Sequence, residues 1–200
     1  MLNSGSGWRY LFNGKDLTGF QNDSGGKPSP NWVAQDGALV RKQGAGMIWT
    51  KERFGDFVLD LEFKTEGNSG IFFRTDDPRD CVQTGIEMQV YKRVNNPGKY
   101  SCGAVYDALA PNKEMTKDGQ WNHVTITAED NKITIGLNGE QIIDMDLNKW
   151  TQPGKNPDGL KNKFSTALKD FKREGHIGFQ DHGANVWYRN IRIKPLTKAQ

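Results

Sequence analysis

Residues 57–63 read Phe-Val-Leu-Asp-Leu-Glu-Phe, with Phe57, Leu59, Leu61 and Phe63 on one phase and Val58, Asp60 and Glu62 on the other. Wound into a helix, this period of two would scatter its apolar residues around the axis, so the stretch is a half-buried strand. Similar short runs recur at 32–35, 38–41, 47–50, 71–75, 85–91, 100–107, 121–129 and 132–146. Asp36-Gly37 and Asn138-Gly139 accept positive φ at both turn positions, which marks tight two-residue hairpins. About a dozen short strands with almost no helical periodicity predict an all-β, antiparallel two-sheet sandwich.

The stretch 176–194 carries the most chemistry. Ile177 and Phe179 form an apolar row, while Gln180 and His182 share the opposite phase. Gly183 then turns the chain, and 186–193 reads as a second strand pairing back on the first. Phe72 and Arg74 share a face of 71–75, where an arginine beside an aromatic can hold a sugar or bridge to a neighbouring strand. If 85–91 and 100–107 pair as a hairpin, Glu87 falls opposite Tyr106 and Gln89 opposite Ala104, which gathers Glu87, Gln89 and Tyr106 on one face. In that register Cys102 meets Tyr91, so both cysteines, Cys81 and Cys102, are expected as free thiols. Asp60 and Glu62 read as a solvated face or a carboxylate pair, and His123 as a surface histidine. The connection 148–175 loses the period of two and offers only a helical turn or two near Ala167, Leu168 and Phe171. Ordering so long a connection costs entropy, which favours a functional role for it.

The chain is only 35% hydrophobic, but 6 Trp, 10 Phe and 5 Tyr supply large buried areas, as a thin sandwich with polar loops requires. A net charge of +3, spread without blocks of one sign, gives no footprint for nucleic acid. No run approaches the roughly 20 apolar residues of a membrane span, and 1–6 read as a tail or cloning scar ahead of one domain at 7–200. Glycine-rich phosphate loops, His-Glu-x-x-His and Gly-x-Ser-x-Gly are absent from the sequence.

Four segments resemble the 3-keto-disaccharide hydrolase domain, in order and nearly end to end. They are Leu-Phe-Asn-Gly-Lys-Asp-Leu-Thr-Gly-Phe from Leu11, Asn-Ser-Gly-Ile-Phe-Phe-Arg from Asn68, Thr-Gly-Ile-Glu-Met-Gln-Val from Thr84, and Gly-Phe-Gln-Asp-His-Gly from Gly178 with Tyr-Arg-Asn-Ile-Arg-Ile-Lys from Tyr188. The resemblance implies a concanavalin-like jelly roll with a sugar-holding concave face, a 3-keto-glycoside substrate, and a periplasmic or extracellular setting. Given that substrate, a ketone at C3 acidifies the hydrogen at C2, so a general base can open a β-elimination that expels the group at C1. Glu87 and His182 are the candidate base and acid, in either order. Arg74, Gln89, Tyr106, Gln180, Asp181 and Arg189 are candidates to hold the sugar, with Arg74 or Tyr106 beside the enolate. Glu87, Gln89, Gln180 and His182 are also donors for a divalent metal, without a spacing that specifies one. Two alternatives share the fold. One is a non-catalytic sugar-binding module. The other is a conventional glycosidase, whose Glu-x-Asp-x-x-Glu strand is here reduced to Glu87-x-Gln89 followed by Val90, Tyr91 and Lys92.

Overall fold

The computed structural model describes residues 7–196; the tail at 1–6 lies outside them. Thirteen strands are present among these residues: β1 (Arg9–Tyr10), β2 (Phe20–Gln21), β3 (Trp32–Gln35), β4 (Ala38–Arg41), β5 (Ile48–Thr50), β6 (Phe57–Thr65), β7 (Ser69–Thr75), β8 (Ile86–Val90), β9 (Asn122–Glu129), β10 (Lys132–Leu137), β11 (Glu140–Asp146), β12 (His176–Phe179) and β13 (Val186–Pro195). The one α-helix described, α1 (Cys81–Thr84), is four residues long. No described helix is long and apolar enough to cross a membrane.

Two antiparallel sheets form the expected sandwich. One has the order β11-β10-β9-β6-β13-β4-β3, with β1 also paired to β13; the other has the order β2-β5-β12-β7-β8. Phe57, Leu59, Leu61 and Phe63 all point inward at 0% exposure, as their phase requires. They meet Ile71, Phe73, Met88, Ile177 and Phe179 of the second sheet in one apolar cluster. Each such side chain contributes roughly 1.5–3 kcal/mol on leaving water. Asp36 (φ 53°) with Gly37 (φ 76°), and Asn138 (φ 53°) with Gly139 (φ 87°), close the β3–β4 and β10–β11 hairpins.

Two expectations are corrected. The strands at 176–179 and 186–195 do not pair. β12 joins the five-stranded sheet and β13 the larger one, so 180–185 is a corner between layers. Both strands carry an apolar row, and these rows stack face to face across the core, with Phe179 and Tyr188 ring centroids 4.5 Å apart. Residues 100–107 are not a continuous strand either, because positive φ at Gly103 (83°) and Asp107 (62°) breaks the pleat. The expected register survives in single bonds: the amide of Gln89 donates to the carbonyl of Ala104 at 3.0 Å and that of Tyr106 to Glu87 at 2.9 Å. Both cysteines are free.

Candidate active site

The outer face of the five-stranded sheet is built from one row of residues in register. Gln21 pairs with Trp49, Trp49 with Gly178, Gly178 with Phe72, and Phe72 with Glu87, so a single line crosses all five strands. Tyr106 extends it through the bond to Glu87. Two glycines make this packing possible. A methyl at Gly178 would collide with the Trp49 indole, and one at Gly70 would collide with the Glu87 carboxylate, so both side chains lie directly on bare backbone. Trp49 and Phe72 meet edge to face at 5.8 Å, and Trp49 Nε1 donates to Asp23 Oδ1 at 2.6 Å, which draws the 22–26 loop over them.

Glu87 is only 6% exposed, and its charged neighbour is Lys163, whose Nζ lies 3.5 Å from Oε2. Burial raises the carboxyl from 4.5 to about 7, with Lys163 pulling the other way. A carboxylate with that balance is half ionised at neutral pH, which suits a proton-transfer group. The same Lys163 ammonium sits 4.3 Å from the Tyr106 ring centroid. Burial and the nearby Glu87 raise the Tyr106 phenol. Burial, with Asp23 and Glu87 adding to it, pushes the Cys81 thiol up to about 11, so it is not a thiolate nucleophile at neutral pH.

Lys163 carries no signal in the sequence, because the aperiodic connection that holds it offers no phase to read. What fixes it is a buried polar knot. Asn156 accepts from Trp150 Nε1 at 2.9 Å, donates to the carbonyl of Asp107 at 3.0 Å, and accepts from Asn162 at 2.8 Å. Lys99 adds a bond to the carbonyl of Lys161 at 2.6 Å. Buried polar groups satisfied in this way hold a loop in one arrangement. The helical turn expected near Ala167, Leu168 and Phe171 is a short 3₁₀ segment, Leu168–Asp170, and those three residues are buried.

At the next position along the sheet, Gly70 pairs with Gln89, and the Gln180 amide donates to the Gly70 carbonyl. Gln89 Nε2 donates to Asn68 Oδ1 at 3.2 Å, and Asn68 Nδ2 lies 2.9 Å from His182 Nδ1. Asn68, another residue not assigned a role from sequence, belongs to the segment opened by Asn-Ser-Gly. Gln180 Oε1 is buried with no hydrogen-bond partner, an acceptor of the sort that ligand hydroxyls satisfy. Asp181 holds the corner itself: its Oδ1 accepts from Arg41 Nε at 2.5 Å and from the Gly183 amide at 3.0 Å, and Oδ2 accepts from the Gly46 amide at 3.1 Å. Burial raises its carboxyl, but these bonds outweigh that and hold it below the ordinary range. An open depression of about 750 Å³, lined by Arg41, Gln43, Gly44, Asp181, His182, Gly183 and Asn185, begins at His182. Glu87 does not line it; its carboxylate is buried against the Lys163 ammonium.

Glu87, Gln89, Tyr106, Gln180 and His182 are thus joined by strand pairing and hydrogen bonds around one part of the sheet, with Asp181 buttressing the loop. Arg74 and Arg189 are elsewhere. Positive φ at Arg74 (51°) and the register shift between β12 and β7 turn its side chain off the Phe72 face. The guanidinium, 1% exposed, bonds Asp56, the Gly55 carbonyl and the Asp130 carbonyl. Arg189 lies on the outer face of the larger sheet, paired with Glu62 at 2.9 Å and stacked 4.0 Å over Trp121. Asp60 on that face bonds Arg192 at 2.9 Å and His123 at 2.7 Å, so Asp60 and Glu62 form the solvated, charge-paired face and cannot partner Glu87. Among the described residues no three His, Cys, Asp or Glu side chains converge as a metal site.

Residues 7–194 match the family model described as 3-keto-alpha-glucoside-1,2-lyase-like domain. A Bacteroides thetaiotaomicron protein named 3-keto-disaccharide hydrolase is 26% identical, over 95% of this chain and 79% of its own length. A crystal structure from Parabacteroides distasonis, described as a candidate glycosyl hydrolase, superposes with a TM-score of 0.84 at 32% identity, covering 94% of this chain and 99% of that one. The carbohydrate-binding module CBM66 of Bacillus subtilis is similar in fold alone, with a TM-score of 0.53 at 17% identity, covering 88% of this chain and 95% of that one.

Proposed function

The chain belongs to the 3-keto-alpha-glucoside-1,2-lyase-like domain family, and on that premise we propose that it cleaves 3-keto-glycosides by β-elimination and rehydration, with Glu87 as the base. The observation that carries this reading is Glu87 itself: a carboxylate 6% exposed, seated on Gly70 beside a single ammonium and held near pH 7. Burial raises the basicity of this carboxylate, which favours its taking a hydrogen made acidic by a neighbouring ketone.

In the forward step Glu87 takes the proton from C2 and the electron pair is delocalised onto the C3 oxygen. Lys163, beside Glu87, supplies positive charge to that enolate. Collapse of the enolate forms the C1=C2 bond and breaks the bond from C1 to the leaving oxygen, to which protonated Glu87 returns the proton. His182, at the edge of the depression, gives a hydrogen bond to the departing oxygen, and the depression receives the leaving sugar or aglycone. Water then adds, its hydroxyl to C1 and a proton to C2, which completes a net hydrolysis. Gln180 Oε1 and Gln89 are placed to read substrate hydroxyls. Substrate reaches Glu87 past the Lys163 side chain, 23% of whose surface is exposed, and the ammonium then turns from Oε2 to the C3 oxygen.

The test is incubation with a 3-keto-disaccharide and with its unoxidised parent in deuterated water. The reading requires cleavage of the keto substrate alone, with deuterium at C2 of the recovered 3-keto sugar. Cleavage of the parent, or cleavage without deuterium, would favour displacement at C1 by a conventional glycosidase. Binding of either sugar without cleavage would make the chain a carbohydrate-binding module.

A further inference from the structure

We infer that Asn68, oriented by Gln89, locks His182 in the tautomer that carries its proton on Nε2, so that His182 serves as a hydrogen-bond donor and not as the base; this rests on the reaction proposed above. In the amide orientations of the structure, Gln89 Nε2 donates to Asn68 Oδ1 at 3.2 Å and the Asn68 amino group faces His182. An amide nitrogen has hydrogens and no lone pair to offer. At 2.9 Å from it, His182 Nδ1 must therefore accept, and the neutral ring carries its proton on Nε2.

A ring in this state has no lone pair left for substrate. It presents an N–H, the group that stabilises an oxygen gaining negative charge. Proton abstraction is then left to Glu87, one neighbour away from Gln89 on the same face of β8. The two candidates of opposite sense are thereby separated by the hydrogen-bond chain and not by their identity. Asn68 is a positioning residue, acting through His182.

The protein holds its own internal standards, because it has three histidines. His176 Nδ1 lies 2.8 Å from the carbonyl oxygen of Thr50 and must donate to it, so this ring has its proton on Nδ1. His123 Nε2 lies 2.7 Å from the Asp60 carboxylate and donates from Nε2. Protein labelled with ¹⁵N-histidine, recorded by long-range ¹H–¹⁵N correlation on the neutral rings, distinguishes the protonated from the bare nitrogen of each, with His182 assigned by its loss in His182→Gln. Wild-type protein should show His182 protonated on Nε2, like His123 and unlike His176. Asn68→Asp replaces the amino donor by a carboxylate acceptor while leaving Gln89 its partner. It should move the His182 proton to Nδ1 and lower kcat on a 3-keto-glycoside on the order of 10²-fold with KM changed far less. A wild-type His182 protonated on Nδ1 overturns the inference, whatever the activity, and so does an Asn68→Asp protein whose tautomer is unchanged. An Nε2-protonated His182 in a protein that cleaves no keto substrate sustains the tautomer assignment and removes the reaction instead.

Discussion

Replacing Glu87 by Gln should make the protein more stable and inactive at once, and the size of the gain follows from the site. The folded carboxyl ionises near 7 against an ordinary value of 4.5, chiefly because it is buried, with Lys163 offsetting only part of that cost. Between those two values the folded state binds more protons than the unfolded one, so Glu87's contribution to stability is complete below pH 4.5 and lost as pH rises through about 7. The loss amounts to about 3 kcal/mol at its plateau, since each tenfold in the proton equilibrium is about 1.4 kcal/mol. Gln fills the same volume without a charge to desolvate. Urea unfolding of both proteins between pH 5 and 8.5 should therefore show the variant's advantage grow across the range and level off above 7. For a chain of this length the plateau corresponds to a rise in Tm of about 6–12 °C. Taking the difference between the two proteins cancels every other titrating group. A difference that stays flat with pH, or a wild type more stable than Glu87→Gln at pH 8.5, would refute the assignment of a buried base with a raised pKa.

Other outcomes follow from the same geometry. For the wild type, kcat/KM on a 3-keto-glycoside should rise with pH through about 7, and Lys163→Met should shift that limb to higher pH while lowering the plateau on the order of 10-fold or more, because the cation that favours ionised Glu87 is gone; a pH–rate profile on both proteins decides it. Gly178→Ala should displace the Trp49 indole and cost roughly 1–3 kcal/mol by overpacking, read by chemical denaturation and by near-ultraviolet circular dichroism. Arg74→Met should cost on the order of 3 kcal/mol in denaturation by taking the donor from the Gly55 and Asp130 carbonyls and the cation from Asp56, which keeps only the Asp130 amide. Arg189→Ala, on the charge-paired outer face of the larger sheet, should change stability by less than about 1 kcal/mol and leave kcat unchanged in the same assay.

What the sequence made legible was whatever obeys a period. Phe57 through Phe63 and the shared face of Glu87 and Gln89 are consequences of alternation, the two hairpins are marked by their Asp-Gly and Asn-Gly turns, and even the register that sets Tyr106 against Glu87 holds although the pleat around Tyr106 does not. Arg74 was misplaced because one residue with φ of 51° reverses the phase after Phe72, and nothing in the local pattern marks an arginine as the position of a bulge. The corner at 180–185 reads as a hairpin in the sequence because two apolar strands joined by a short glycine-containing link can pair at their edges or stack across a core. Their alternation is the same in both. Arg189 has the correct outward phase, but it faces out from the other layer. Lys163 and Asn68 depend on where irregular segments return, which long-range polar bonds such as those of Asn156 decide.

On the proposed reaction, the corner at 180–185 also ties the alignment of the two layers to the spacing of His182 and Glu87. His182 is suspended between a strand of one sheet and a strand of the other, while Glu87 rides wholly on the first, so a small shear between the layers alters the spacing of the two groups. Catalytic geometry tolerates little such displacement. On the proposed reaction, changes at the seam where Phe179 meets Tyr188 should lower turnover by more than their cost in stability explains, because the hydrophobic interior sets the distance between Glu87 and His182.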